Sequence, residues 1–170
     1  MNPKFLGDSY DLVKRFFCRE LHSLGYILEV DPMFTGSWNG NEERFFRLID
    51  VPPPGDASNA PSASALFLDP DTGVNEKGGK QHVSFERIVQ EAARYNLVFS
   101  FDQSFSRQAP PREVMVAKLA SLRERGCHGI YYDSHARFLF ASNCVSRLIE
   151  LTDHLVGLGI PPERMLLSVD

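Results

Sequence analysis

The stretch Ser64-Ala65-Leu66-Phe67-Leu68-Asp69-Pro70-Asp71-Thr72-Gly73 decides how this chain is read. An apolar run stops abruptly at two acids around a proline, and a glycine follows. This is the pattern of a buried strand that delivers carboxylates to the edge of a sheet.

Upstream, Lys4-Phe5-Leu6 is a very short strand or a lead-in, and Gly7-Asp8-Ser9 turns into a helix. Asp8 is the N-cap and Asp11 lies in the first turn, where an acid suits the helix dipole. Leu12, Val13, Phe16, Phe17, Leu21 and Leu24 recur at helical spacing, and Gly25 ends the helix. Tyr26 to Val30 reads as a strand leaving through Asp31-Pro32. Met33 to Gly40 is loop, and Asn41 caps a second helix that runs to about Ile49. Residues 51–64 are rich in Pro, Ser and Ala and read as a surface loop.

Downstream, Asn75 to Lys80 is a polar loop, and Ser84 caps a helix that buries Phe85, Ile88, Val89 and Ala92. Leu97 to Phe101 is a strand ending at Asp102. Pro111 opens a helix with Val114, Met115, Leu119 and Leu122 inward. His128 to Tyr132 is a strand ending at Asp133, and Arg137 to Ala141 returns beside it, antiparallel. Asn143 caps a last helix with Val145, Leu148, Ile149, Leu155 and Val156 apolar, and Met165 to Val169 is an edge strand. Strands alternating with helices predict one α/β domain over residues 1–170. Its expected form is a three-layer, Rossmann-like arrangement: a mostly parallel sheet with an antiparallel hairpin near the C-terminus.

The 170 residues carry 18 basic and 22 acidic side chains, a formal net charge of −4, which argues against a nonspecific nucleic-acid coat protein. Cys18, Cys127 and Cys144 are odd in number and widely spaced, so they predict reduced thiols and not a disulfide framework or a cysteine zinc site. Acids arrive early and no long apolar stretch is present, so a cytoplasmic protein with no membrane contact is expected.

In an open parallel sheet, ligands bind beyond the carboxyl ends of the strands. Asp31, Asp69, Asp71, Asp102 and Asp133 all fall at such ends, with Asp8 and Asp11 at a helix start on the same edge. Such acids bind a divalent cation, accept hydrogen bonds from ribose, or act as a base. Asp69 and Asp71, two residues apart beside a glycine, are the candidate catalytic pair, and the metal ligands if the site holds Mg²⁺. Asp8, Asp11, Asp31, Lys80 and Asp102 are the candidate ligand-binding residues. Lys77, His82, Arg107 and His135 are further polar groups near this edge. Each acid also has a plain structural use, since Asp commonly ends strands and caps helices.

The order from Leu66 to Ala141, with Asp69-Pro70 after a strand and a hairpin pair at the end, resembles the second half of the class I methyltransferase fold. That likeness implies S-adenosylmethionine as cofactor, with Asp31 at its ribose and a nucleotide-containing ligand or nucleic acid as substrate. Beyond Gly7-Asp8-Ser9 there is no glycine-rich loop, and Asp69-Pro70-Asp71-Thr72 lacks the second proline and the aromatic residue. Asp69-x-Asp71 also resembles the first motif of haloacid dehalogenase-type phosphatases. Ser100, Lys118 and Asp133 would then stand for the later motifs, with Thr72-Gly73 in place of the usual Gly-Thr. A small metal-dependent nuclease would use the same acids with Mg²⁺. Gly7-Asp8-Ser9 is similar to the nucleophile block of GDS-type esterases, for which only Asp133-Ser134-His135 would supply partners. Phe67 to Gly73, with Gly7-Asp8, Asp11, Lys14 and Lys80-x-His82-Val83, resembles a group of uncharacterised bacterial and phage-type proteins. That likeness implies a shared fold and edge site. A non-catalytic binding domain is the remaining reading.

Overall fold

The structure, a computed structural model, describes residues 1–52, 63–105 and 109–167. The central strand β2 (Ser64–Leu68) is buried at every position. It lies between β1 (Ile27–Asp31) and β5 (Leu97–Phe101), parallel to both, so neither edge meets water. Beyond β5 come β7 (Phe138–Ser142), β6 (His128–Tyr132) and β8 (Met165–Leu167), giving the sheet order β1-β2-β5-β7-β6-β8. β7 runs antiparallel to β5 and to β6, and β8 antiparallel to β6. Strands β1, β2, β5 and β6 therefore share one direction, and the sheet is mostly parallel in a mixed α/β fold.

Alternate side chains of the same strands feed two cores. On one side, Ala65, Phe67, Leu97, Phe99, Phe138 and Phe140 pack with α1 (Ser9–Ser23), α2 (Glu42–Ile49) and α5 (Val145–Gly157). On the other, Leu66, Leu68, Val98, Tyr131 and Leu139 pack with α3 (Phe85–Ala92) and α4 (Pro111–Glu124). The first core is built on a ladder of rings. Phe67 and Phe99 are register partners stacked at 4.6 Å, and Phe99 and Phe140, also partners, stack at 5.6 Å. Phe17 of α1 sets its ring edge on Phe140 at 5.2 Å. Aromatic neighbours in such offset and edge contacts add to area burial, so this ladder fixes both strand register and the seat of α1.

Several local expectations are corrected. Pro3–Phe5 is a 3-10 turn capped by Asn2, where a short strand over Lys4–Leu6 was one reading. Asn41 does not cap α2 with its side chain; its amide donates to the Trp38 carbonyl. The polar stretch after Asp71 holds two short parallel strands, β3 (Gly73–Asn75) and β4 (His82–Ser84). Single buried valines, Val74 and Val83, anchor them, too isolated to show a period in sequence. Cys144, not Asn143, stands at the N-cap of α5, and Asn143 donates to the Ala92 carbonyl. Val145 and Ile149 are about half exposed, while Leu148, Leu151 and Leu155 face inward.

Of the expected 51–64 loop, residues 53–62 lie outside the described residues, Val51 is buried, and Ser64 already belongs to β2. Arg107 and the last part of the Met165–Val169 strand also lie outside them. All three cysteines are free. Among the described residues no helix is long and apolar enough to cross a membrane.

Truncating the middle of the ring ladder removes packing from both neighbouring strands. Phe99→Ala is expected to lower the free energy of unfolding by about 3–5 kcal/mol, read from urea denaturation followed by circular dichroism.

Candidate functional site

Asp69 leaves β2 on the face covered by α1. There the first turns of α1 present two groups on one side, because Asp11 and Lys14 are three residues apart. The Lys14 ammonium lies 2.9 Å from Asp11 Oδ1 and 2.9 Å from Asp69 Oδ2. Asp11 and Asp69 are fully buried and Lys14 nearly so. The third hydrogen of Lys14 points to Met1 Sδ, and the Phe45 and Phe101 rings stand 5.9 and 5.3 Å from the ammonium. Asp11 Oδ2 accepts from the Gly7 N–H at 2.7 Å. Asp8 Oδ1 accepts from the N–H groups of Tyr10 and Asp11, so Asp8 caps the start of α1.

Burial pushes the Asp69 carboxyl up, against the pull of Lys14. For Lys14 burial acts downward, but attraction to Asp69 and then Asp11 outweighs it and the net direction is up. Both groups are thus shifted upward, Asp69 by burial and Lys14 by its carboxylate partners. Asp69 Oδ1 is buried with no hydrogen-bond partner.

Pro70 and Asp71 carry the chain past this triad along the wall of a cavity of about 250 Å³. Its apolar wall includes Phe5, Tyr10 and Phe101, and its polar wall Asp8, Asp11, Lys14, Asp71 and Gln103. Thr35 donates to Asp71 Oδ2, and the Met1 ammonium lies 2.8 Å from Asp71 Oδ1. Tyr10 is held by the Phe101 ring at 5.2 Å and by His135, whose Nε2 is 2.8 Å from the Tyr10 hydroxyl. Gln103 donates to the His135 carbonyl at 2.5 Å, which ties the β6–β7 connection to the cavity rim.

The remaining sequence candidates go elsewhere, and strand register explains why. Asp31 is the register partner of Leu68, so it faces α3. It pairs with Arg87 at 2.5 Å and accepts from the Met33 N–H. Asp102 follows Phe101 and so shares its side with Ser100 and Val98. It is fully buried there and saturated. Oδ2 accepts from Lys118 and from the Tyr131 hydroxyl, each at 2.6 Å, and Oδ1 accepts from Val74 N, Ser104 N and Ser104 Oγ. Burial, outweighing Asp102, lowers the Lys118 pKa, and burial and then Asp102 raise that of Tyr131. Lys80 is exposed on the β3–β4 connection and does not line the cavity.

The structure thus brings Asp8, Asp11, Asp69 and Asp71 together and leaves Asp31, Asp102 and Lys80 outside. Lys118 sits with Asp102 on the opposite face from Asp69, so the phosphatase-like set does not assemble around Asp69. Tyr10, Phe101 and Gln103 were not among the sequence candidates. Tyr10 lies beside Asp11, and Phe101 and Gln103 flank Asp102, so adjacency to a strand-end acid was the available signal. The Asp11-x-x-Lys14 spacing was the signal for the buried ion pair.

A divalent cation does not fit these residues. The Lys14 ammonium already stands between Asp69 and Asp11, and Asp71 accepts from Thr35 on Oδ2 and faces the Met1 ammonium with Oδ1. Among the described residues no group of three or more His, Cys, Asp or Glu side chains is arranged to hold a metal ion. Comparison with protein-family models, with curated proteins and with solved structures finds no match for the chain.

Gly73 closes the stretch because nothing larger fits. Its φ is +133°, and a Cβ there would collide with Asp102 Oδ1 and lie 2.8 Å from Asp102 Cα. Gly73→Ala is expected to cost about 2–4 kcal/mol of stability, measured by urea denaturation. A second expectation concerns pH. The folded pKa of Asp69 lies above the ordinary 3.8, so the folded chain binds this proton more tightly than the unfolded chain. That contribution is present below the ordinary value and is lost as pH rises through the folded one. Asp69→Asn does not titrate. Its stability relative to the natural chain should therefore rise as the pH is raised from the ordinary carboxylate value of 3.8, as read from urea midpoints at a series of pH values.

Proposed function

We propose that the cavity beside Asp71 binds a nucleotide-containing ligand, either free or as one unit of a nucleic acid, in a Rossmann-like three-layer domain. The observation that carries this reading is an aromatic-walled cavity of about 250 Å³ beyond the carboxyl ends of β2 and β5, floored by a rigid Asp11–Lys14 pair. Strand ends of this kind are where open α/β sheets take ligands. Tyr10 and Phe101 offer ring surface for a base, and Asp71 and Gln103 offer acceptors and donors for its edge or for ribose hydroxyls.

S-adenosylmethionine belongs to this ligand class. The antiparallel strand β7 seated between β5 and β6, with helices on both faces, favours a methyltransferase-like architecture over other α/β plans. The phosphoester-hydrolase reading needs a metal at Asp69 and Asp71, where the donor set does not fit one.

Thermal-shift measurements on the full chain with adenosine, AMP, CMP, S-adenosylmethionine and Mg²⁺ test this. A member of the nucleotide class at about a hundredfold its Kd should add about 2.7 kcal/mol and raise the Tm by roughly 5–10 °C. Tyr10→Ala should abolish that rise. Stabilisation by Mg²⁺ alone, with none from any nucleoside or nucleotide, would replace this reading with metal-dependent phosphoester chemistry.

A further inference from the structure

We propose that His135, which does not itself line the cavity, is a positioning residue for it: the imidazole holds the Tyr10 ring in place and so sets how tightly the cavity binds. This rests on the nucleotide-binding reading above and adds what controls affinity at that site.

Tyr10 is half-buried in the first turn of α1, where backbone N–H groups have no partner within the helix. A side chain there has rotamers open to it, and a ligand that needs one of them bears the entropy of selecting it. The structure removes that freedom from two sides. The Phe101 ring meets the Tyr10 ring at 61°, with centroids 5.2 Å apart. The His135 ring lies closer to parallel, at 21° and 5.6 Å. His135 Nε2 is also 2.8 Å from the Tyr10 hydroxyl. The imidazole thus fixes both the plane of the phenol ring and the place of its hydroxyl, while Tyr10 still lines the cavity.

A surface histidine can do this only if its own backbone is fixed. His135 sits on the connection 133–137 between β6 and β7, and both ends of that connection are tied down. The Asp133 N–H donates to the Arg164 carbonyl at 2.7 Å, and the Arg137 carbonyl accepts from the Asp102 N–H at 2.9 Å. Between them Ala136 is buried, and its carbonyl accepts from Ser134 Oγ at 2.8 Å. The His135 carbonyl accepts from Gln103, a second residue of the cavity wall. One residue therefore ties together two parts of the wall that come from different elements, Tyr10 from α1 and Gln103 from the chain after β5. Side chains that touch a ligand keep their geometry only when the groups behind them are locked. His135 is exposed and fills no core, so this role is separable from the stability of the fold.

Isothermal titration calorimetry on the full chain with adenosine, AMP, CMP and S-adenosylmethionine, taken together with melting temperatures, tests this. For whichever probe binds, His135→Ala should weaken binding about three- to tenfold, the worth of one side-chain hydrogen bond. Its Tm should move by less than about 3 °C. His135→Gln, whose amide reaches the place of Nε2, should recover affinity to within about twofold of the natural chain. Tyr10→Phe keeps the ring and loses the hydroxyl, so it should also weaken binding. Combined with His135→Ala it should add nothing further, because both changes remove the same bond. Unchanged affinity in His135→Ala, no recovery in His135→Gln, or single effects that multiply in the double variant would each overturn this inference while leaving nucleotide binding intact. No binding of any of these probes to the natural chain would overturn both.

Discussion

Everything at the candidate site depends on one buried ammonium. Lys14 is held between two carboxylates that have no solvent to share them with. Taking one lysine and two aspartates out of water is costly, and removing one partner of such a cluster typically costs 3–5 kcal/mol. That is a large part of the roughly 5–15 kcal/mol that stabilises a domain. The cluster therefore tolerates one geometry only, in which the first turns of α1 lie over the exit of β2. The same docking presses Phe17 onto Phe140 and brings Tyr10 against Phe101. The ion cluster and the ring ladder thus favour the same docking of α1.

The chain contains a second buried lysine–aspartate centre, and the two differ in how fully the carboxylate is satisfied. Lys118 and Asp102 form a buried pair on the opposite face, and Asp102 accepts from five donors, counting Lys118, Tyr131, Val74 and the two from Ser104. Asp69 accepts on one oxygen from Lys14 alone. A saturated carboxylate has no acceptor capacity left, whereas Asp69 keeps one buried oxygen unpaired. Hydrogen-bond saturation separates the two centres where residue type, burial and position at a strand end do not.

This also defines how far the sequence was legible. The strands were visible as apolar runs that end at acids, and the helices as apolar periods with Asp8, Ser84 and Pro111 at their starts. Which acids meet was hidden, because it depends on register. Phe67 pairs with Phe99, so Asp69 falls level with Phe101, and Asp102, one residue later, points to the other face. Asp31, level with Leu68, goes with Asp102's side. A shift of one residue reverses a side chain's face, and no local pattern in the chain records the relative offset of two strands. The row of acids seen in sequence is thus two rows, back to back. Val74 and Val83 stayed hidden for a different reason: a short strand anchored by a single valine carries no period to detect.

The Asp69–Gly73 segment joins these two faces. Asp69 belongs to the Lys14 centre, while Gly73 packs on Asp102 and the next residue, Val74, donates to it. Between them, Thr72 is fixed by its N–H to the Gln81 carbonyl and by its own carbonyl, which accepts from the Gln103 N–H at 2.8 Å. Asp71 and Gln103, two polar groups of the cavity rim, are therefore spaced by contacts that lie behind the cavity. A binding site is only as well formed as the residues that lock its lining. Here the lock is the close approach of a glycine backbone to a saturated aspartate, so the shape of the cavity on one face of the sheet is set by packing on the other.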